Sequence, residues 1–468
     1  MTGKRKRKLA MPDTLIIVAS VVLLVAILSW IIPSGTYDYQ EMNINGRIRN
    51  VAIDGTYHTI DKSEVTTTGF LGFFSVLYRG CVEAADVIFM ILCCCGTFGV
   101  VVKTGAFHAG IGTILKKLKG KEILLVPIIM MIFGLGGSVF GMASEFYGFY
   151  PLIVGLGVAL GYDAMFGFAI IAVGEFVGFM GATLNPYSVG IAQTISGVKL
   201  YSGTGYRAIC FVIFMAISII YVMVYGRKIK KNPGASVVFG EKNIHAFDRD
   251  ELNEYSFTLK DGLVLLDVLV VLIVLMLGLI KWGLDFPQLC GLFLLMSMIA
   301  AAICKWSPNK WCSEFIDSAK TAMWGCILTG IAKAITVVMQ DAQIMDTVIY
   351  GLSNVLKNAP HAVSAQVMLV VQTLINFFIP SATGQASATM PIMAQLADII
   401  GVSRQTAVLA FQFGDGLSNI FWPTADIVII CGLGGISLQK WYKWFTPLFL
   451  ILFVTQAILL GIATGIGF

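Results

Sequence analysis

Long apolar runs separated by short charged loops dominate this chain, and their length is that of membrane spans rather than of core helices. A crossing helix needs roughly 20 predominantly apolar residues. The stretches that come within a few residues of that length are Met11 to Ile32, Ala84 to Val102, Asp163 to Ala182, Tyr206 to Gly226, Gly262 to Lys281, Phe286 to Cys304, Ser318 to Met339, Ser403 to Thr424 and Phe445 to Ile466. Two further apolar stretches, Ile123 to Leu160 and Ala362 to Ile400, are interrupted near the middle by Gly, Ser, Thr and acidic residues. Each half is too short to cross. They read as re-entrant hairpins, because broken backbone at membrane depth survives only when buried in protein or lining a cavity. Thr104 to Leu118 and Asp341 to Leu356, polar on one side, read as interfacial helices or plain amphipathic connectors.

The two interrupted regions look like copies of one unit. The first reads GLGGSVFGMASEFYGFYPLIVGLGVALGYD and then GEFVGFMGATLNP; the second reads FIPSATGQASATMPIMAQLADIIGVS and then GDGLSNIFWPT. Pro151 and Pro391, Leu156 and Leu396, Gly161 and Gly401, and Gly174 and Gly414 are all 240 apart. The same offset sets Gln385 opposite Glu145 and Asp415 opposite Glu175. Asn185 meets Asn419 only after a short deletion. Within these windows the first copy carries one more carboxylate than the second.

Composition agrees with the pattern. The chain has 468 residues, 57% hydrophobic and only 13% charged, with a mean hydropathy of +0.83, so the fold class expected is an all-α polytopic membrane protein. The net charge of +5 is no nucleic-acid signature, because the basic residues flank the spans. The run Lys4 to Lys8 places the N-terminus in the cytoplasm by the positive-inside rule. Threading from there, with both hairpins non-crossing, also puts KKLKGK, GRKIKK, KWSPNKW and QKWYKW inside, and Pro33 to Gly69 outside. The first hairpin (about 123–160) then opens from the cytoplasm and the second (about 362–400) from outside. The organisation is one repeat over 1–226, a cytoplasmic linker and connecting helix over 227–285, and an inverted repeat over 286–468. Inverted repeats with broken segments near the midplane are the pattern of secondary transporters.

Ionisable residues inside apolar runs are costly and therefore functional candidates. Glu145, Glu175 and Asp415 fit that description; the structural alternative is that they cap broken helices or pair with Lys333. Ser138 and Ser144 in the first tip, and Ser381, Thr383, Gln385 and Ser387 in the second, are candidates for substrate binding, joined by Asn185 and Asn419 beside Pro186 and Pro423. Oxygen-rich backbone near Thr183, Asn185, Ser418 and Asn419 would suit Na⁺ as a coupling ion, with H⁺ the alternative. The same hydroxyls and amides could instead restore the backbone groups that the prolines free. Three carboxylates without Arg favour a cationic or zwitterionic ligand over a dicarboxylate. The spacings Gly137/Gly141, Gly157/Gly161 and Gly174/Gly178 permit close helix approach. The ten Cys read as small buried hydrophobes. The four His form no metal spacing, and no nucleotide-binding or nucleophile motif is present.

MPDTLIIVASVVLLVAILSWIIPSGTYDY, GATLNPYSVGIAQTISG and PSATGQASATMPIMAQLAD together resemble the YfcC-like family of bacterial inner-membrane carriers, relatives of the anaerobic C4-dicarboxylate carriers in the ion transporter superfamily. The resemblance covers nearly the whole chain. It implies a homodimer in the lipid bilayer, each protomer with a scaffold and a mobile transport domain, two opposed hairpins and elevator-like alternating access. It also implies that the tips and broken helices build the site, matching Ser138 to Glu145, Thr183 to Pro186, Ser381 to Ser387 and Ser418 to Pro423. The family's Ser-Asn-Thr tip signature is not kept: the second tip has Ser381, Ala382, Thr383 and the first has no such triplet. The function expected is secondary active transport of a small charged metabolite, a basic amino acid by arginine/ornithine-type exchange, ahead of a Na⁺- or H⁺-coupled C4-dicarboxylate carrier. A channel or an intramembrane enzyme are the readings from other classes.

Overall fold

The computed structural model describes residues 13–44, 47–118, 122–241, 245, 256–357 and 363–468. The basic run Lys4 to Lys8, the end of KKLKGK and much of the linker after Lys231 lie outside the described residues, so the orientation argument built on that run is an inference from sequence alone.

Helix α1 (Thr14–Ile31) starts on Asp13, whose carboxylate accepts the Leu15 N–H at 2.8 Å. Four short strands follow: β1 (Ser34–Thr36), β2 (Tyr39–Ile44), β3 (Arg47–Ala52) and β4 (His58–Ile60). They form two antiparallel pairs, β1 with β4 (Ser34 opposite Ile60) and β2 with β3 (Tyr39 opposite Ala52). The remainder of the first half is α2 (Phe70–Glu83), α3 (Ala85–Lys103), α4 (Ala106–Leu118), α5 (Leu125–Leu135, prolonged by a π turn to Phe140), α6 (Phe149–Ala159), α7 (Ala164–Met180), α8 (Val189–Ile195) and α9 (Thr204–Lys231). Two connecting helices, α10 (Leu259–Leu277) and α11 (Phe286–Ile303), lead to α12 (Pro308–Lys320), α13 (Met323–Asp341), α14 (Met345–Lys357), α15 (Ser364–Phe378), α16 (Ala382–Ile399), α17 (Arg404–Ser418), α18 (Asp426–Gly434) and α19 (Leu438–Gly465).

The series α12 to α19 runs parallel in order to α2 to α9, and three of the pairs match in length. Helices α3 and α13 both have 19 residues, α4 and α14 both 13, α9 and α19 both 28. Helices α7 and α17 begin at Ala164 and Arg404, the 240-residue offset again. Among the described residues, six helices are long and apolar enough to cross a membrane: α1, α3, α9, α11, α13 and α19. The apolar pattern misjudged two boundaries and missed one helix. The stretch Ser318 to Met339 breaks at Thr321 and Ala322, where α12 gives way to α13; Ser403 to Thr424 ends as helix at Ser418; and Phe70–Glu83 forms a helix that the run-length criterion passed over. The expected amphipathic segments are helices α4 and α14.

Packing sorts the helices into two sets. In one, α2 and α1 lie on α13, α3 lies on α11 and α12, and α10 lies on α11. In the other, α5 and α6 flank α7, α15 and α16 flank α17, and α7 meets α9 and α17. All seventeen residues of α7 are buried, as expected of a helix apolar on every face. Close approach depends on glycine. A Cβ on Gly178 would stand 2.0 Å from the Gly134 carbonyl oxygen, and one on Gly416 would stand 2.4 Å from Met180 Cα. Gly174 likewise meets the backbone of Met130 and Gly157 that of Gly167. Gly141 and Gly161 serve otherwise: with φ of 69° and 80° they reverse the chain in a conformation that side chains disfavour.

Candidate functional site

Helix α5 runs parallel to α7, with Met130 beside Gly174 and Gly134 beside Gly178, whereas α6 runs back along it, with Tyr150 beside Glu175. The segment 141–148 therefore turns over at the end of α7, where α7 stops. There the Ser138 backbone carbonyl accepts the Thr183 N–H at 2.9 Å, and Ser138 Oγ lies 3.1 Å from Thr183 Oγ1 and 3.2 Å from the Gly181 carbonyl. Asn185 Oδ1 accepts the N–H groups of Tyr187 and Ser188 at 2.9 and 3.2 Å, and Nδ2 donates to the Gly137 carbonyl at 3.4 Å. Ser138, Thr183 and Asn185 thus fasten the first tip to the first broken helix.

The second hairpin is fastened through side chains rather than backbone. Asn376 Nδ2 lies 2.9 Å from Asp415 Oδ1 and 3.2 Å from both Asn419 Oδ1 and Gln385 Oε1. Gln385 Nε2 donates to Gln372 Oε1 at 2.6 Å, and Gln372 Nε2 to Thr389 Oγ1 at 3.1 Å. All six residues are buried. Asp415 Oδ2 and Asn376 Oδ1 have no partner, so this oxygen-rich pocket retains acceptor capacity that burial makes costly to leave unused. Asp415, Asn419, Asn376 and Gln385 offer carboxylate and amide oxygens, the ligand type that suits a hard cation rather than a soft metal. Ser418, expected near such an ion, donates its hydroxyl to the carbonyls of Gly414 and Asp415. Among the described residues, no group of His, Cys, Asp and Glu could hold a metal.

Each hairpin also reaches the other half's break. Thr383 Oγ1 donates to the Tyr187 carbonyl at 2.9 Å. Tyr147 donates to Asp426 Oδ1 at 2.7 Å, at the start of α18. The broken helices themselves touch at Gly416 and Met180, with Gln412 Nε2 donating to the Phe179 carbonyl at 2.7 Å. Glu175 Oε2 accepts from Tyr150 at 2.9 Å and its Oε1 has no partner. Glu145 turns inward and accepts the Ala143 N–H at 3.0 Å. None of the three predicted carboxylates pairs with Lys333.

A cavity of about 720 Å³ opens where the tips meet the other helix set, within the size range of small-molecule sites. Its wall includes Ser144 and Tyr147 from the first tip, Ser381, Gly384 and Ser387 from the second, Thr424 and Asp426 at the second break, and Thr329, Lys333 and Thr336 of α13. Tyr39 is also in the wall, its phenol donating to Asp346 Oδ1 at 2.8 Å. Of the expected residues, Ser144, Ser381 and Ser387 line this cavity, while Ser138, Glu145, Glu175, Asn185, Gln385, Asp415 and Asn419 are packed behind it. Thr383 holds the tip against Tyr187. Sequence reasoning missed Asp426, Tyr147, Asn376 and Gln372. Counting Asp426 corrects the expected asymmetry, since each half then contributes two buried or half-buried carboxylates to this region. Asp426 lies two residues past Thr424, just beyond the second polar window, where nothing in the local pattern marks it.

Repeated helices of spanning length, two broken helices and a polar cavity between packed sets define a multi-pass membrane transporter. A family model described as DcuC, C4-dicarboxylate anaerobic carrier, matches residues 11–465, and the chain belongs to that family. It is 32% identical to YfcC of Escherichia coli (strain K12), which bears the provisional name of a basic amino acid antiporter, over 100% of this chain and 99% of that one. An uncharacterised protein of Haemophilus influenzae is 27% identical over 99% of both. The solved YdaH transporter of Alcanivorax borkumensis superposes with a TM-score of 0.44 at 15% identity, covering 98% of this chain and 99% of its own.

Proposed function

We propose that this protein is a secondary active transporter of the bacterial inner membrane that exchanges basic amino acids of the arginine/ornithine kind. The observation that carries this reading is Asp426, which lines the cavity between the two hairpin tips with no cationic side chain bonded to it among the described residues. An anion so placed favours a cationic substrate group. The similarity to YfcC points the same way. In this reading α5–α6 and α15–α16 are the re-entrant hairpins, and the set around α7 and α17 is the mobile transport domain. The set around α3 and α13 is the scaffold and, in a homodimer, the contact between protomers. Asp415 with Asn376, Asn419 and Gln385 is the place for a coupling Na⁺ or H⁺.

A C4-dicarboxylate carrier is the second reading, favoured by Lys333 in the cavity wall and by the description of the family. Proteoliposomes separate the two. Vesicles loaded with ornithine are expected to take up labelled arginine in exchange, and imposed Na⁺ or pH gradients identify the coupling ion. Uptake of succinate or fumarate with no amino-acid exchange would sink the first reading.

A further inference from the structure

Lys333 lies near the middle of α13, in an apolar helix long enough to cross the membrane. A half-buried lysine at that depth normally has a partner, and paired charge is the rule for such groups. Lys333 forms no hydrogen bond or ion pair among the described residues. It lines the cavity instead, sharing it with Asp426, which belongs to the other helix set. The remaining charged residues of the wall are Glu83, exposed at the end of α2, and Arg49 of β3.

The N-terminus of α16 faces the same space, with Ser381 and Gly384 in the wall, and adds a partial positive charge. The cavity is thus bipolar: Lys333, Arg49 and a helix N-terminus are its positive groups and Asp426 and Glu83 its negative ones, with Lys333 and Asp426 coming from the two facing helix sets. A purely cationic substrate would leave Lys333 uncompensated. A dicarboxylate would meet Asp426.

We infer that Lys333 anchors the carboxylate of a zwitterionic substrate whose positive group faces Asp426, so that the protein recognises an intact α-amino acid rather than a polyamine or a diacid. This deepens the exchange reading above and rests on it. It also joins substrate to both helix sets at once, since Lys333 comes from α13 and Asp426 from α18.

The test compares arginine with agmatine, which has the same guanidinium and no carboxylate, in proteoliposome exchange. Wild-type protein is expected to show a KM for arginine at least about tenfold below that for agmatine, the scale of one charge-assisted hydrogen bond. Lys333→Met should raise the KM for arginine and not raise that for agmatine, which loses a like-charge repulsion, so that the preference for arginine disappears, and Lys333→Arg should recover most of the difference. Agmatine exchange by Lys333→Met reports that the variant is folded. An unchanged arginine KM in Lys333→Met overturns the inference, as does equal loss of both substrates, which would make Lys333 a structural residue. If the wild-type protein moves succinate and no arginine, the exchange reading falls by itself. A succinate KM that then rises in Lys333→Met would still identify Lys333 as the carboxylate's partner, and one that does not would remove that role too.

Discussion

Glu175 and Asp415 each hold one carboxylate oxygen on a neutral donor and leave the other buried without a partner. An acceptor left so costs about 1–3 kcal/mol, and a coupling cation or a proton would remove that cost. Glu175→Gln and Asp415→Asn are therefore expected to abolish exchange while the protein still inserts and elutes from a sizing column as wild type; full flux from both would assign them to packing. Asp426→Asn is expected to lower the apparent affinity for arginine at least about tenfold, on the scale of a lost charge-assisted contact, as read from the concentration dependence of uptake. Glu145, Glu175 and Asp415 were legible in the sequence because a charge inside an apolar run stands out by itself. Asp426 was not, because it follows a proline-marked break where a polar residue is unremarkable, and only the fold brings it to Tyr147.

Among the elements, α7 owes its close contacts with α5 and with α17 to glycines. Gly178→Ala would push a methyl group into the Gly134 carbonyl, and overpacking of this kind costs about 1–3 kcal/mol. The detergent-solubilised variant is expected to melt several degrees below wild type, whereas Gly205→Ala, with open space around it, should not; equal melting would mean that α5 can slide aside. The sequence exposes the small-residue spacing but not its use. Gly174/Gly178 marks a helix crossing, while Gly141 and Gly161, at the same spacing from their partners, reverse the chain. The spacing states where backbones can approach, and the sign of φ is set by where the chain must turn. Helix α2 escaped notice because, at 14 residues, it is shorter than the roughly 20 apolar residues a crossing needs.

For the molecule as a whole, the cavity lies between two helix sets and between two tips. If the second hairpin opens outward, Ser381→Cys in a variant without the native cysteines should react with a membrane-impermeant maleimide added outside intact cells, and excess substrate should slow the reaction. Labelling only from the inner side would reverse the threading. The sequence by itself determined that the chain is a helical membrane protein and which of its apolar stretches are interrupted by polar residues. Those properties follow from local physics: the apolar length needed to cross a bilayer, and the intolerance of hydrocarbon for unpaired backbone. The tertiary structure alone decided which polar residues share a space. Asn376 meets Asp415 across 39 positions, Tyr147 meets Asp426 across 279, and Lys333 faces the cavity that Asp426 lines. Such pairings arise from helix packing between distant segments, and no periodicity along the chain encodes them.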